Sequence, residues 1–259
     1  MLPCIKLLRK LKGISLAVVC DDRVKTKRSV IFACTHIGGV DVETAFEVIR
    51  QPCWLFLGDP KEVYKNLDGL MLGLNGVIFL ETRDKEDRHI AKETAVQLLL
   101  HGGNLLIFPE GAWNISENLP VTGLFSGTAE MAIRSGAEIV PVAVEGYGKH
   151  MYAAIGRNIA PTNSDMNKKE LTGLIRDSLA TLKWQIWEHV GVHERRSIPE
   201  NYSEAFLEQI MHANKEMSYL VQDVMETMFV DKTTVTREEA FAFVDNLIPS
   251  KANAFLLRR

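Results

Sequence analysis

The stretch from Val30 to Asp41, "VIFACTHIGGVD", changes character abruptly at a histidine. The apolar run before His36 has the length and composition of a buried strand. Two glycines follow, and Asp41 then opens "VETAFEVIR", where apolar residues recur at helical spacing. The stretch therefore predicts a strand, a sharp turn at Gly38 and Gly39, and a helix. That order is typical of an α/β fold.

The rest of the chain repeats this alternation. Apolar, β-branched runs predict further strands over residues 14–20, 54–57, 76–83, 104–107 and 137–147. Helical periodicity lies between them, over residues 85–101 and 128–134. Buried strands that alternate with helices predict an α/β fold with a mainly parallel central sheet flanked by helices.

Beyond the last predicted strand the sequence reads as helical. A long amphipathic helix is predicted to begin at Asn167, where Asn167 and Glu170 form a capping pattern, and to end near residue 190. Helical patterns recur over 201–229 and 236–247. We therefore predict a main α/β domain over residues 1–190 and a helical C-terminal extension over residues 191–259.

Composition excludes several classes of protein. Hydrophobic residues make up 46% of the 259 residues, which is enough for a large packed core and argues against global disorder. The net charge of -3 does not favour a nucleic-acid-binding surface. The four cysteines show no metal-ligand spacing, so we predict no metal and read them as free thiols of a reducing compartment. With no apolar run of bilayer length, we expect a cytoplasmic protein.

The amino-terminal segment "MLPCIKLLRKLK" leaves two interpretations open. Leucine and isoleucine recur at helical spacing over residues 1–12, with lysine and arginine between them. A basic amphipathic helix of this kind can lie on an anionic membrane surface. The alternative is a short first helix that packs on the core and exposes its basic residues to solvent.

His36 and Asp41 form a candidate general base. Five residues apart, they would point away from each other on a continuous helix, so their contact needs the bend that Gly38 and Gly39 allow. A histidine held by a carboxylate has a fixed tautomer and a stabilised imidazolium. The alternative role for Asp41 is an ordinary helix cap.

A protein nucleophile to complete a triad is not evident. Ser126 in "GLFSG" lies one position away from the nucleophile-elbow pattern, and Cys34 is expected to point into the core. If no side chain attacks, the substrate must supply the nucleophile. A dyad that deprotonates a substrate hydroxyl suits acyl transfer to an alcohol.

Two further strand ends carry candidate binding residues. The strand that ends in "FPEG" is followed by Glu110 and Gly111, a carboxylate and a residue that lets the backbone approach a ligand. The strand in "GVIFLETR" ends near Arg83, and arginine suits bidentate binding of phosphate. Taken alone, the first feature is better interpreted as an ordinary acidic turn and the second as a solvated charge.

Taken together, four blocks in chain order resemble the phospholipid/glycerol acyltransferase family, which includes the lysophosphatidic acid acyltransferases. The first is His-x4-Asp at His36 and Asp41, and the second is the run from Gly76 through Phe79 to Arg83. The third is "FPEG" over residues 108–111, and the fourth is "VPV" over residues 140–142. The resemblance covers roughly residues 28–150 and makes residues 1–190 the acyltransferase domain.

The resemblance implies roles for these residues. His36 would take the proton from a glycerol hydroxyl, Asp41 would orient it, Arg83 would hold the acceptor phosphate, and Glu110 and Gly111 would help bind the acceptor. The acyl donor would be a thioester of coenzyme A or acyl carrier protein, with no other cofactor. The partners implied are a lysophospholipid and, peripherally, the inner face of the cell membrane.

The chain departs from the family pattern at several positions. Thr35 and Gly38 stand where the family usually has Asn and Ser, and Ala112-Trp113-Asn114 stand where it usually has Thr-Arg-Ser. A second phosphate-binding arginine is therefore missing. The sequence predicts an O-acyltransferase acting on a lysophosphatidate-type acceptor. The alternatives are an esterase or thioesterase that uses the same dyad on water, and a catalytically silent lipid-binding relative.

Overall fold

The computed structural model describes residues 2–58, 73–116, 119–161, 167–191, 200–213 and 220–228. Its strands are β1 (Ser15–Asp21), β2 (Val30–Cys34), β3 (Trp54–Leu57), β4 (Val77–Phe79), β5 (Leu105–Ile107), β6 (Glu138–Tyr147) and β7 (His150–Ile155). Its helices are α1 (Leu2–Leu11), α2 (Asp41–Ile49), α3 (Lys85–Leu100), α4 (Gly127–Ser135), α5 (Lys168–Val190), α6 (Tyr202–Ala213) and α7 (Val221–Thr227).

The strands of the described residues form one sheet in the order β1-β7-β6-β2-β5-β3-β4. Neighbouring strands pair in parallel, except for the antiparallel pair β6 and β7. The predicted fold class, a mainly parallel sheet flanked by helices, is confirmed. The carboxyl ends of β2, β5, β3 and β4 lie along one edge of the sheet, which we call the carboxyl edge, and ligands of open α/β sheets bind at such edges.

Strand β7 is absent from the sequence prediction. It follows β6 through the two residues Gly148 and Lys149, and Gly148 has a positive φ of 60°. A two-residue loop with glycine in its first position is one of the patterns typical of a β-hairpin. The dipeptide after Tyr147 is therefore the signal that could have revealed the hairpin.

The core has two layers, one on each face of the sheet. In β2, Ile31 and Ala33 pack toward α3, α4 and α5, whereas Phe32 and Cys34 pack toward α1 and α2. Successive strand residues point to opposite faces, and β2 lies at the centre of the sheet, so all five of its residues are buried. This explains the continuous apolar run that precedes His36.

Helix α5 begins as the sequence predicts. The Asn167 side chain accepts hydrogen bonds from the backbone N–H groups of Lys169 and Glu170, and Glu170 bonds back to the Asn167 N–H, which is a capping box. Helices α6 and α7 lie in the segment 201–229 that was predicted to be helical. The helix predicted over 236–247 lies outside the described residues.

The chain divides into two compact units, Met1–Phe229 and Val230–Arg259. All described residues belong to the first unit, which includes α6 and α7. The domain boundary expected after residue 190 stays a prediction of the sequence. Among the helices that the structure describes, none is long and apolar enough to cross a membrane.

Candidate active site

His36 and Asp41 are in contact at the carboxyl edge. The Nδ1 atom of His36 lies 2.8 Å from Oδ2 of Asp41, the first residue of α2. Gly38 and Gly39 have positive φ angles of 77° and 64°, a conformation that glycine adopts at little cost, and they turn the chain back between the two side chains. The predicted bend is therefore present, and it brings the two residues together.

Asp41 is held by more than the imidazole. The same oxygen, Oδ2, accepts hydrogen bonds from the backbone N–H groups of Ile37, at 2.9 Å, and Gly38, at 2.7 Å. The Asp41 carboxyl is buried, and a buried carboxylate needs such donors to offset the loss of hydration. The turn at residues 37–38 therefore holds the Asp41 carboxylate in place, and the carboxylate in turn stabilises the turn.

This geometry leaves His36 able to act as a base. If Nδ1 donates its proton to Asp41, the ring nitrogen that Asp41 does not hold, Nε2, carries a lone pair. The His36 side chain keeps 17% of its surface exposed, whereas that of Asp41 keeps 2%. The histidine is therefore reachable from outside and its orienting carboxylate is not.

Two aromatic rings flank the imidazole. The Phe108 ring centroid lies 4.4 Å from that of His36, and the Trp113 centroid lies 6.4 Å away in an edge-on arrangement. Both aromatic residues are buried. Trp113 occupies the sequence position where the family usually has an arginine, so the wall of the site beside His36 is aromatic at this position.

Glu110 lies beneath His36 and is completely buried. Its Oε1 accepts a hydrogen bond from the His36 backbone N–H at 2.9 Å, and its Oε2 accepts from the N–H and the hydroxyl of Thr122 at 2.8 and 2.7 Å. Because the side chain is completely buried, contact with an acceptor would require its surroundings to move. The acceptor-binding role expected for Glu110 stays a prediction.

Gly111 is required by the packing next to it. Its φ is 70°, and a Cβ atom at this position would lie 2.5 Å from the Phe125 ring. The Phe125 N–H donates to the carbonyl of Pro109 at 2.9 Å, which fixes that loop against the end of β5. An acceptor contact at Gly111 stays a prediction.

Arg83 lies apart from the dyad. It follows β4, whereas His36 follows β2, and the strands β5 and β3 lie between them, so the two ends are about 14 Å apart at ~4.8 Å per strand. The Arg83 side chain is 71% exposed and forms an ion pair of 3.6 Å with Glu226 of α7. The structure thus brings together His36, Asp41 and Glu110, whereas Arg83 follows another strand of the same edge, four residues beyond the end of β4.

Helix α7 also packs near the dyad. Val224 is buried in a small apolar cluster with Ala112 and Trp113. The same short helix therefore packs on Trp113 and presents Glu226 to Arg83. Sequence reasoning assigned this segment no role at the site.

Of the two nucleophiles considered from the sequence, the buried Cys34 does not suit a triad. Cys34 is fully buried, and burial together with the neighbouring Asp41 and Glu110 carboxylates raises the pKa of its thiol well above the usual range. Ser126 is the N-cap residue of α4. The substrate hydroxyl expected as the nucleophile stays a prediction.

A buried cation was missed by the sequence analysis. Lys183 of α5 forms an ion pair of 2.5 Å with Glu145 and donates to the Val144 carbonyl at 3.1 Å. The Thr35 hydroxyl lies between the N–H and the carbonyl of the same Val144. The position of Lys183 among the apolar residues on the buried face of α5 is the sequence signal that could have revealed it. This network fixes the end of β2 next to His36.

No group of three or more histidine, cysteine or acidic side chains in the described part of the chain is arranged to hold a metal ion. The expectation that the reaction needs no metal stays a prediction.

The chain belongs to the acyltransferase family, whose sequence model matches residues 15–145. The matched region contains the dyad, Arg83 and Glu110. The resemblance inferred from the four blocks is thereby confirmed at the level of the family, and the protein is assigned to an enzyme class that transfers acyl groups.

Three relatives are similar to this chain. The 1-acyl-sn-glycerol-3-phosphate acyltransferase of Borreliella burgdorferi is 26% identical over 189 residues, 68% of this chain and 74% of that protein. A Chlamydomonas reinhardtii protein of the same description is 23% identical over 124 residues, 48% of this chain and only 36% of its own length. The crystal structure of PlsC, the 1-acyl-sn-glycerophosphate acyltransferase of Thermotoga maritima, shares the fold, with a TM-score of 0.56 and 16% identity over 75% of this chain and 81% of that one.

The buried thiols provide a first test of the site. At neutral pH we expect iodoacetamide to alkylate the exposed Cys4 in the native protein. Cys34 and Cys53 should stay unmodified, because burial raises both thiol pKa values, that of Cys53 to about 12. Peptide mass spectrometry before and after urea unfolding measures which cysteines are alkylated.

The substitution Cys34→Ala should retain turnover within about threefold, since a buried cysteine acts as a small hydrophobe. Native alkylation of Cys34 with matching loss of activity would contradict the dyad interpretation.

Proposed function

We propose that this protein transfers a fatty acyl group from a thioester to a hydroxyl of a lysophosphatidate-type acceptor, with His36 as the general base. The observation that carries the proposal is the 2.8 Å contact between His36 and Asp41 at the carboxyl edge. The names of the Borreliella and Chlamydomonas relatives support the choice of acceptor. The donor is a thioester of coenzyme A or acyl carrier protein.

The reaction uses the dyad twice. The Nε2 atom of His36 takes the proton from the acceptor hydroxyl as its oxygen attacks the thioester carbonyl, and Asp41 stabilises the imidazolium that forms. The carbon–sulfur bond then breaks, and the imidazolium returns the proton to the departing thiolate. The products are the ester and the free thiol, and His36 is neutral again.

Arg83 is proposed to bind the acceptor phosphate. Its guanidinium is exposed and already holds an anion, the Glu226 carboxylate, at 3.6 Å. Two oxygens of a phosphate can accept hydrogen bonds from the same planar guanidinium, and a phosphate monoester carries more charge than a carboxylate. On this proposal the acceptor displaces Glu226 from Arg83 when it binds.

Peripheral attachment to an anionic membrane, at the inner face of the cell membrane, is also proposed. In α1, Ile5 packs into the core, and Arg9 forms an ion pair of 2.7 Å with Glu47 of α2. The opposite side of the helix exposes Leu7 and Leu11, 58% and 74% accessible. Exposed lysines follow the same stretch, at positions 6, 10 and 12. An exposed apolar pair among cations is the pattern of an interfacial helix.

The first test offers the purified full chain labelled acyl-CoA or acyl carrier protein thioester with lysophosphatidate. We expect ester formation, and His36→Ala should lower its rate by about 10²–10⁴-fold, the usual contribution of a general base. His101→Ala is the matched control, because His101 is exposed at the end of α3, and it should retain full activity. Free fatty acid released without an acceptor, or binding without turnover, would contradict the transferase assignment.

A second test separates acceptor from donor. Arg83→Ala should raise the KM of lysophosphatidate by about tenfold and leave the donor KM unchanged, because it removes a charge-assisted contact to the phosphate only. Glu226→Gln should lower the acceptor KM, since it removes the competing anion. Lys85→Ala, an exposed cation close by in sequence, is the control. Equal increases in both KM values would rule out the proposed role of Arg83.

A third test concerns the membrane. Leu7→Asp combined with Leu11→Asp should reduce sedimentation with vesicles of phosphatidylglycerol, because it removes the exposed apolar pair without touching Ile5 or Arg9. Leu174→Asp, on an exposed position of α5, is the control. Sedimentation that is unchanged by the double substitution would leave α1 as a core helix alone.

A further inference from the structure

The backbone of His36 is enclosed by hydrogen bonds from a single loop. Its N–H donates to Glu110 at 2.9 Å, and its carbonyl accepts from the Asn114 N–H at 2.7 Å. The Asn114 side chain in turn donates to the Leu119 carbonyl at 2.9 Å. The peptide that carries the base is therefore held on both sides by the segment that follows β5.

Three consecutive amide groups at this turn point to buried carboxylates. The His36 N–H donates to Glu110, whereas the N–H groups of Ile37 and Gly38 donate to Asp41. Each of the two carboxylates therefore binds a different part of the turn. Asp41 fixes the ring and the turn after it, and Glu110 fixes the point where the chain leaves β2.

Glu110 is itself fixed from the far side by Thr122. The backbone N–H and the hydroxyl of Thr122 both donate to Oε2, at 2.8 and 2.7 Å. Thr122 and Glu110 are both buried. A buried carboxylate that loses one donor retains the cost of its desolvation and shifts toward its remaining partners or toward water.

We propose that Thr122 is a positioning residue for the catalytic histidine, and that it acts through Glu110. In this arrangement the Glu110 carboxylate is a structural bridge from Thr122 to the His36 amide rather than a ligand of the acceptor. The proposal rests on the proposed role of His36 as the base. Small displacements of a catalytic group cost large factors in rate, so the bridge sets kcat more than substrate binding.

Substitutions at Thr122 isolate this bridge. Thr122→Val has nearly the same shape and keeps the backbone N–H, but it removes the hydroxyl bond to Oε2. We expect it to lower kcat by about tenfold while both KM values stay within about twofold. Thr122→Ser restores a hydroxyl and should return kcat close to that of the wild type.

The chain offers a matched control six residues later. Thr128 is also buried, and its hydroxyl has no hydrogen-bond partner among the described residues. Thr128→Val should therefore leave kcat unchanged. An equal loss of kcat in the valine variants of Thr122 and Thr128 would show a general packing effect and overturn the proposal.

Glu110→Gln tests the other half of the bridge. An amide offers one acceptor oxygen and one donor group, so a donor would face the N–H of either His36 or Thr122. We expect a loss of kcat at least as large as in Thr122→Val. A rise in acceptor KM with kcat unchanged would instead favour direct binding of the acceptor by Glu110, and it would overturn the proposal.

A measurement without substrate separates this proposal from the proposed function. Histidine-selective 15N labelling reports the His36 ring and its bond to Asp41 by NMR. We expect the His36 ring signals to shift in Thr122→Val and to stay unchanged in Thr128→Val. Unchanged signals in Thr122→Val would overturn the positioning role whether or not the wild type turns over. Loss of the transferase assignment would appear separately, as an absence of ester formation by the wild type.

Discussion

A single oxygen atom organises the candidate site. Oδ2 of Asp41 accepts hydrogen bonds from the His36 ring and from the backbone N–H groups of Ile37 and Gly38. The imidazole, the turn and the start of α2 are therefore joined at one point, and none can move without disturbing the others. Because the carboxyl is buried, solvent cannot replace these donors cheaply. The orientation of the His36 ring is thus set by the fold itself.

Around this point the site is built in two halves that differ chemically. Beneath His36 lies a polar half, in which Glu110 and Thr122 are buried and their hydrogen bonds are satisfied internally. Beside the ring lies an aromatic half, made by Phe108 and Trp113. The polar half holds the histidine in place, and the aromatic half lowers the exposure of its ring to water. The family assignment places the chain among acyltransferases. The role of this arrangement in acyl transfer is our proposal, as is the particular acceptor.

Features that depend on residues close together in the sequence could be predicted from the sequence alone. The strand, the double-glycine turn and the following helix were predictable from local patterns, because all lie within a short stretch of chain. The contact between His36 and Asp41 was one of two interpretations of their spacing, and the family resemblance favoured it. The parallel sheet followed from the alternation of elements. The contacts of Glu110 could not be foreseen in this way, since they depend on how the loop beyond Trp113 folds back. The ion pair between Arg83 and Glu226 joins residues more than 140 positions apart, and no local pattern encodes such a meeting.

The antiparallel hairpin of β6 and β7 has a consequence for the direction in which the chain enters the sheet. Strand β1 pairs with β7 in parallel, and Ser15 lies opposite His150, just past the hairpin turn. That turn extends from the same edge as His36. Because β7 runs antiparallel to β6 and β1 runs parallel to β7, α1 joins the sheet at the edge that carries His36 and Asp41. On the proposed attachment through α1, the lipid layer would therefore face the same edge of the sheet as His36.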